Sequence, residues 1–335
     1  MALSGLHLLL TYQCTSECDH CFVWGSPWAR ATMPLSMIQE ILDQADELGT
    51  VRSVFFEGGE PFLYYSTLLE GIRLATARGH WTGIVSNGFW ATSRQDAFRA
   101  LSRLVQAGLQ GIQLSADRLH SPLKDDPRPR FAAEAAKELG IYQGIIAVEK
   151  PATEARPSEV QRKGEPIQGG DICFKGRAAE LLTEGLIRIP WESLDLCPYE
   201  ELVSPRRAHI DPYGNVHICQ GLLMGNLRKT PLSELAASYC ADEHPIAGQL
   251  VSGGPAKLAK TFDLPMEEGY VDACHLCYRA RSRLRARYPN YLGPAWVYGE
   301  QASRSRRRPA GLARGKTGDA GKLIPGPWTS ESSGR

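Results

Sequence analysis

Strand-like and helix-like segments alternate between residues 7 and 150, and this alternation constrains the fold more than any other feature of the sequence. The strand-like stretches are HLLLTY (7–12), VRSVFFEGG (51–59), WTGIVSNG (81–88), GIQLSAD (111–117) and YQGIIAVE (142–149). Between them, apolar residues recur at the spacing of one helix face in 35–49, 67–79, 94–108 and 130–140. This succession predicts a parallel α/β sheet, either open or curved into a complete or partial barrel.

Distinctive polar groups follow four of these predicted strands. CTSECDHC (14–21) follows the first, GGEP (58–61) the second and SNG (86–88) the third, while SAD (115–117) ends the fourth. In parallel sheets and barrels the functional groups lie at the carboxyl ends of the strands. The four placements therefore predict one functional site on one rim of the sheet.

Cysteine usage and charge narrow the class of protein. The apolar run near the start, LHLLL, is too short for a signal peptide and no stretch is long enough to span a bilayer, so we expect a cytoplasmic protein. Disulfides are rare in that compartment, and the nine cysteines are clustered, which indicates metal or redox chemistry. The formal net charge of +1 gives no sign of nucleic-acid binding.

The spacing CxxxCxxC places three cysteines, Cys14, Cys18 and Cys21, in one short loop. A four-iron cluster usually has four cysteine ligands, so three would leave one iron with an open coordination position. The spacing alone also allows a zinc site, a structural Fe–S cluster with a remote fourth cysteine, or coincidence. GGEP alone could be an ordinary turn.

Taken together, the cysteine triplet and GGEP resemble the radical S-adenosylmethionine superfamily. The resemblance implies an enzyme with a [4Fe–4S] cluster held by Cys14, Cys18 and Cys21. In this superfamily S-adenosylmethionine chelates the fourth iron, and its reductive cleavage yields a 5′-deoxyadenosyl radical that abstracts a hydrogen atom from the substrate. The residues implied to contact this cofactor are His20, Gly58, Gly59, Glu60, Asn87, Ser115 and Asp117.

Later cysteines resemble the auxiliary-cluster extension of these enzymes, called SPASM in its full form and twitch in its shorter form. The implied ligands of one auxiliary [4Fe–4S] cluster are Cys197, Cys219, Cys274 and Cys277. No cysteine follows Cys277, so the ligands of a second auxiliary cluster are missing. The same four thiols would equally suit a structural zinc ion. We expect Cys173 and Cys240 to be small buried hydrophobes, although either could replace one ligand.

The predicted architecture is a partial (β/α)6 barrel followed by a small cysteine-rich auxiliary domain. We assign residues 1–195 to the barrel and 196–300 to the auxiliary domain, which ends with a basic helix. Residues 301–335 are predicted to form a disordered basic tail. Within the barrel, 151–171 is expected to be a loop and LIRIP (186–190) the sixth strand.

The resemblance says little about the substrate. Enzymes with auxiliary clusters commonly modify peptides or proteins, so by analogy we expect that reaction class. The alternatives are radical chemistry on a small molecule such as a sugar or nucleoside and, outside enzymes, an Fe–S or zinc regulatory protein. An electron donor such as a flavodoxin or ferredoxin is the implied partner, whereas neither a membrane nor nucleic acid is expected.

Overall fold

A computed structural model describes residues 3–121, 125–156 and 163–300, so the predicted tail, 301–335, lies outside the described residues. The strands are β1 (Gly5–Thr11), β2 (Ser53–Gly58), β3 (Trp81–Ser86), β4 (Gly111–Ser115), β5 (Tyr142–Glu149), β6 (Gly169–Asp171), β7 (Ile189–Pro190), β8 (Arg207–Ile210), β9 (Asn215–Cys219), β10 (Leu222–Asn226) and β11 (Gly269–Tyr270). The helices are α1 (Leu35–Leu48), α2 (Tyr65–Ala77), α3 (Arg94–Gln106), α4 (Arg128–Glu138), α5 (Ala178–Leu181), α6 (Leu232–Ser238), α7 (Ala247–Thr261) and α8 (Ala273–Leu284).

One mostly parallel sheet organises the described chain. Its strands lie in the order β10-β9-β8-β1-β2-β3-β4-β5-β6, and β1 to β6 pair in parallel. Helices α1 to α4 connect the first five strands, as the alternation of patterns predicts. The predicted α/β class with a parallel sheet is therefore confirmed. None of the helices in the described ranges is long and apolar enough to cross a membrane.

The prediction of the sixth strand was wrong. Ile189–Pro190 pairs antiparallel with Gly269–Tyr270 in a separate two-stranded sheet. The neighbour of β5 is instead Gly169–Asp171, inside the segment 151–171 that we expected to be a loop. A strand of sequence Gly-Gly-Asp has no apolar pattern, and hydrogen bonds hold it: backbone bonds with β5, and one from the Arg156 N–H to the Asp171 carboxylate. A Cβ on Gly169 would lie 3.2 Å from the Ala147 carbonyl oxygen, so the close approach favours glycine there.

Strands from the cysteine-rich half continue the main sheet. β8 pairs in parallel with β1, and β9 and β10 extend the sheet beyond it as an antiparallel hairpin. The sheet is thus continuous across residue 196, and the division of the chain into two domains there stays a prediction. β1, which has neighbours on both sides, is buried along its whole length.

A buried carboxylate fastens this hairpin to β1. Asp211 is fully buried and accepts hydrogen bonds from the Tyr12 hydroxyl over 3.0 Å and the Asn215 amide over 2.9 Å. His217 Nε2 lies 3.2 Å from the same carboxylate, while its Nδ1 accepts from the Gly221 N–H. The imidazole therefore donates its Nε2 proton to Asp211. This network links the end of β1 to β9 and to the turn that follows it.

His244 joins the start of α7 to β10. Its Nε2 donates to the Leu223 carbonyl oxygen over 2.9 Å, and its Nδ1 accepts from the N–H groups of Ile246 and Ala247. Burial lowers the pKa of His244 below its usual value. Because Nδ1 is needed as an acceptor, the fold requires the neutral imidazole.

Candidate active site

The cysteine triplet lies in a loop that leaves β1 and closes on itself. The Ser26 N–H donates to the Tyr12 carbonyl over 3.3 Å, and the Cys14 N–H donates to the Ser26 carbonyl over 3.0 Å. Within the loop, the Cys21 N–H donates to the Cys18 carbonyl over 3.1 Å. The three thiol-bearing residues are all partly exposed. The loop therefore presents the cysteines together at the carboxyl end of β1.

A buried arginine from a distant part of the chain holds this loop in place. Arg177 Nε donates to the Cys18 carbonyl over 2.9 Å, and its Nη2 donates to the Gly25 carbonyl over 2.5 Å. Its own N–H donates to the Cys21 carbonyl over 3.0 Å. Nη1 lies 3.4 Å from the Glu17 carboxylate. These contacts fix the backbone of the cysteine loop from Cys18 to Gly25.

The GGEP loop, at the end of β2, packs directly against the end of β1. The Gly59 N–H donates to the Thr11 carbonyl over 2.7 Å, and the Glu60 N–H donates to the Gln13 carbonyl over 2.8 Å. A Cβ would lie 2.3 Å from the Thr11 oxygen if placed on Gly58 and 2.1 Å from the Gln13 oxygen if placed on Gly59. Both glycines are required because the two loops approach so closely.

The Glu60 carboxylate is fully buried and connects the ends of β2 and β3. It accepts hydrogen bonds from the Phe62 N–H over 3.1 Å, the Ser86 hydroxyl over 2.9 Å and the Asn87 N–H over 2.8 Å. Burial raises the pKa of Glu60 to about 7, against the effect of these three donors. The contacts described for Glu60 are all within the protein, and a contact with a cofactor stays a prediction.

Asn87 continues this connection to the cysteine loop. Its side-chain amide donates to the Thr15 hydroxyl over 3.1 Å and to the Cys14 sulfur over 3.6 Å. Its carbonyl oxygen accepts from the Phe89 N–H over 3.0 Å. The ends of β1, β2 and β3 therefore form one hydrogen-bonded rim that includes a cysteine ligand predicted from the sequence.

The end of β4 completes the rim with Ser115 and Asp117. Asp117 accepts from the Val148 N–H over 3.2 Å, and one of its oxygens lies 2.9 Å from His120 Nδ1. The ring of His20, from the cysteine loop, packs edge-on against His120 with 4.4 Å between centroids. Burial, followed by the nearby charge of His120, lowers the pKa of His20 to about 4, so this imidazole is neutral near pH 7.

A cavity of about 200 Å³ opens beside this rim. Most of its polar wall is ionisable: His7, His20, Glu57, His120, Cys173, Lys175, Glu200, Arg207 and His209. Glu200 lies between two of the cations, 3.7 Å from Lys175 and 3.4 Å from Arg207. Apolar side chains form the rest of the wall, so the cavity suits a substrate that has both apolar and polar or charged parts.

The four later cysteines meet at a second, smaller cavity of about 20 Å³. Cys219 ends β9, and Cys197 lies in the loop before β8. Cys274 and Cys277 are one turn apart at the start of α8, on the same helix face. The N-cap residue of that helix, Asp272, accepts from the His275 N–H over 2.6 Å. The structure thus brings together the four auxiliary ligands predicted from the sequence.

The two cavities adjoin one another. Cys173 is buried, lines the larger cavity and lies close enough to the Cys274 thiol to raise its pKa. Lys175 and Glu200 line both cavities. Cys240 is exposed in the turn after α6, so its prediction as a buried hydrophobe was wrong.

The spacing of the thiols bears on which metal group they could hold. A zinc ion with Zn–S bonds of about 2.3 Å brings its sulfurs to about 3.8 Å from one another. In the described part of the chain, no three cysteine sulfurs lie within 4.8 Å of one another. Each group would therefore have to draw its thiols closer together to bind a single zinc ion. Burial raises the pKa of Cys14 and Cys18 to about 12, so binding of iron would displace protons.

Sequence reasoning missed Arg177, Lys175 and the pair His7 and His209. A single cation in a segment without periodicity carries no pattern that distinguishes it from a solvated side chain. One signal was present, because KGR (175–177) follows Cys173 closely. Gly176 has a φ of +62°, and a Cβ there would lie 2.5 Å from the Cys21 carbonyl oxygen.

Residues 8–143 match the sequence model of the Radical SAM superfamily, which covers less than half of the chain. A curated relative is YydG of Bacillus subtilis (strain 168), whose name alone assigns it to peptide biosynthesis. It is 27% identical over 113 residues, which are 34% of this chain and 35% of YydG. The chain therefore carries a radical S-adenosylmethionine domain, which is an enzyme domain, and the match spans about a third of the relative's length.

Solved structures with a similar fold are more distant. BtrN in complex with AdoMet and 2-DOIA is 17% identical with a TM-score of 0.45, covering 70% of this chain and 82% of that chain. An open conformation of BtrN is 15% identical with a TM-score of 0.40 and coverages of 70% and 80%. Methylornithine synthase (PylB) is 14% identical with a TM-score of 0.34 and coverages of 44% and 45%.

Proposed function

We propose that this chain is a radical S-adenosylmethionine enzyme that modifies a peptide. The observation that carries the proposal is the rim on which the cysteine loop, the GGEP loop and Asn87 are hydrogen-bonded to one another beside the larger cavity. Cys14, Cys18 and Cys21 would hold a [4Fe–4S] cluster there. With the cluster and S-adenosylmethionine bound, the site would supply a 5′-deoxyadenosyl radical that removes a hydrogen atom from the substrate.

The residues of the chain would position the reactants and limit access of water. Arg177 fixes the loop that carries the three cysteines, and Asn87 holds the Cys14 sulfur. His20 lines the larger cavity, and a carboxylate oxygen of Asp117 lies within 4.8 Å of a His20 ring nitrogen; both residues would contact the cofactor, as the family resemblance implies. Lys175, in the wall of the larger cavity, would orient a carboxylate or carbonyl group of the substrate.

The second group of cysteines would hold one auxiliary [4Fe–4S] cluster. Its proximity to the larger cavity, through the shared residue Lys175, supports a role in handling electrons or in holding the substrate. The resemblance of these cysteines to an auxiliary-cluster extension, in a chain that also carries a radical S-adenosylmethionine domain, supports a cluster over a zinc ion. Because reduction of the first cluster needs one electron, a flavodoxin or ferredoxin is the proposed partner.

The similarity to YydG supports a peptide as the substrate. A second candidate is a small polar molecule such as a sugar or nucleoside, and the ionisable wall of the cavity favours it. The two can be distinguished by incubating the enzyme with deuterated candidates, beginning with any short peptide encoded beside its gene. Deuterium in 5′-deoxyadenosine from the peptide supports the proposal, whereas label only from a small molecule would replace it with the second candidate.

The cofactor assignment is tested separately by anaerobic loading with iron and sulfide. We expect about eight irons per chain, and 5′-deoxyadenosine on addition of a reductant and S-adenosylmethionine. Cys18→Ala should abolish the formation of 5′-deoxyadenosine. Cys274→Ala should lower the iron content to about four per chain but should still form 5′-deoxyadenosine. The matched control is Cys240→Ala, which removes an exposed thiol outside both groups. Zinc in place of iron, with no cleavage, would refute the assignment.

A further inference from the structure

We propose that His7, Glu57 and His209 form a binding site for one divalent first-row transition-metal ion, separate from both groups of cysteines. The three residues come from the adjacent strands β1, β2 and β8. His7 and His209 are register partners, and Glu57 is the partner of Leu9, two residues after His7 on the same face of β1. Two imidazoles and one carboxylate are a donor set that suits iron(II) or zinc.

The donor atoms are already at ligand spacing. His7 Nδ1 lies 3.1 Å from one Glu57 oxygen, and His209 Nε2 lies 3.3 Å from the other. For metal–ligand bonds of about 2.1 Å, adjacent donors around a tetrahedral or octahedral ion are about 3.0–3.4 Å apart. One donor atom from each of the three residues lies within 4.8 Å of the others. An ion between them would need only small side-chain rotations.

Packing holds the donors in place and leaves one side open. The His7 ring stacks on Phe55 with 4.8 Å between centroids and 9° between planes, which fixes its orientation. The side chains of His7, Glu57 and His209 are 8%, 14% and 14% exposed, and all three line the larger cavity. A bound ion would therefore keep coordination positions open towards the cavity for water or for an oxygen atom of the substrate.

An unpartnered amide in the same cavity points independently to a ligand. Gln220 is only 6% exposed and lines this cavity. Both its Nε2 and its Oε1 are buried without a hydrogen-bond partner among the described residues. Leaving such groups unpaired is costly, so they require a partner beyond the described residues. Water or substrate bound to the metal would supply one.

A second group of possible donors, His20, Asp117 and His120, is less suitable. Asp117 already accepts hydrogen bonds from the N–H groups of Leu119 and His120, as well as from Val148. His20 is the residue before Cys21, so this group lies where the proposed cluster and its cofactor would bind. It serves as the internal comparison for the test.

The probe is Zn²⁺ alone, added to anaerobic protein whose cysteines have been loaded with iron and sulfide. We expect about one zinc ion per chain, measured by elemental analysis after removal of free metal. X-ray absorption at the zinc edge should show nitrogen and oxygen neighbours without sulfur, and the iron of the clusters does not interfere at that edge. If the wild-type protein bound no zinc, or bound zinc with sulfur neighbours, this measurement by itself would overturn the proposal.

Variants then locate the ion. Glu57→Gln preserves size, and it and His209→Ala should each weaken zinc binding by about tenfold or more. His120→Ala should leave zinc binding unchanged. The absorbance of the iron–sulfur clusters reports that each variant is folded. If His120→Ala abolished zinc binding while Glu57→Gln retained it, the ion would belong to the other group and the proposal would be wrong.

Discussion

Replacing Arg177 with methionine should destabilise the protein and loosen the cysteine loop. The Arg177 side chain is only 2% exposed, and it donates to the carbonyls of Cys18 and Gly25. Each hydrogen bond from a charged donor contributes about 1.5–3 kcal/mol, and methionine retains much of the volume without donating. Glu17 is 49% exposed, so its ion pair adds at most about 1 kcal/mol. We expect the free energy of unfolding to fall by about 3–5 kcal/mol.

The assay is urea unfolding of the protein before iron loading, followed after loading by the rate of iron release to a chelator. The matched control is Arg73→Met, because the side chain of Arg73 is 57% exposed and pairs with Glu70 on the same helix. The control should change the free energy of unfolding by no more than about 0.5 kcal/mol. Equal stability of the two variants, with equal rates of iron release, would refute the role assigned to Arg177.

The packing of the sheet leads to three further predictions. Gly59→Ala should lower the free energy of unfolding in urea by about 3 kcal/mol or more, because the new Cβ would lie 2.1 Å from the Gln13 oxygen. The control is Gly144→Ala, whose Cβ would meet nothing closer than 3.4 Å. Equal losses in the two variants would contradict the argument. Asp211→Ala should cost about 3–5 kcal/mol, since its buried donors lose their acceptor; a loss below about 1 kcal/mol would contradict this. The pKa of His244 is lower in the folded state than in the unfolded state, so the unfolded state binds more protons and stability falls as pH drops below about 6.5. In urea titrations between about pH 5 and 6.5, His244→Gln should make that fall shallower, and an unchanged slope would disprove the assignment.

Local sequence patterns were sufficient for the first five strands and for the groups at their ends. Apolar periodicity is a local property, and chain order sets the order of parallel strands when short helices connect them. The patterns therefore assign Cys14, Gly59, Asn87 and Asp117 to one rim of the sheet. Patterning failed at Gly169–Asp171, because so short a strand has no side-chain period to recognise.

The contact between Cys173 and Cys274 shows a different limit. In sequence, Cys173 is a single cysteine in an irregular segment, and Cys274 belongs to a CxxC pair. Only the packing of α8 against the segment before α5 brings the two thiols together. No periodicity or spacing contains that information, because it depends on how distant elements meet.

The sequence by itself determined the α/β class, the rim on which the chemistry-bearing groups lie and the two sets of cysteines, because strand and helix periods and short motifs are encoded locally. Tertiary structure alone decided that Arg177 would hold the cysteine loop and that β8 would lie beside β1. That second pairing places His209 next to His7 and Glu57. Each of these contacts joins residues far apart in the chain, and only the burial of the surfaces between them selects which residues meet.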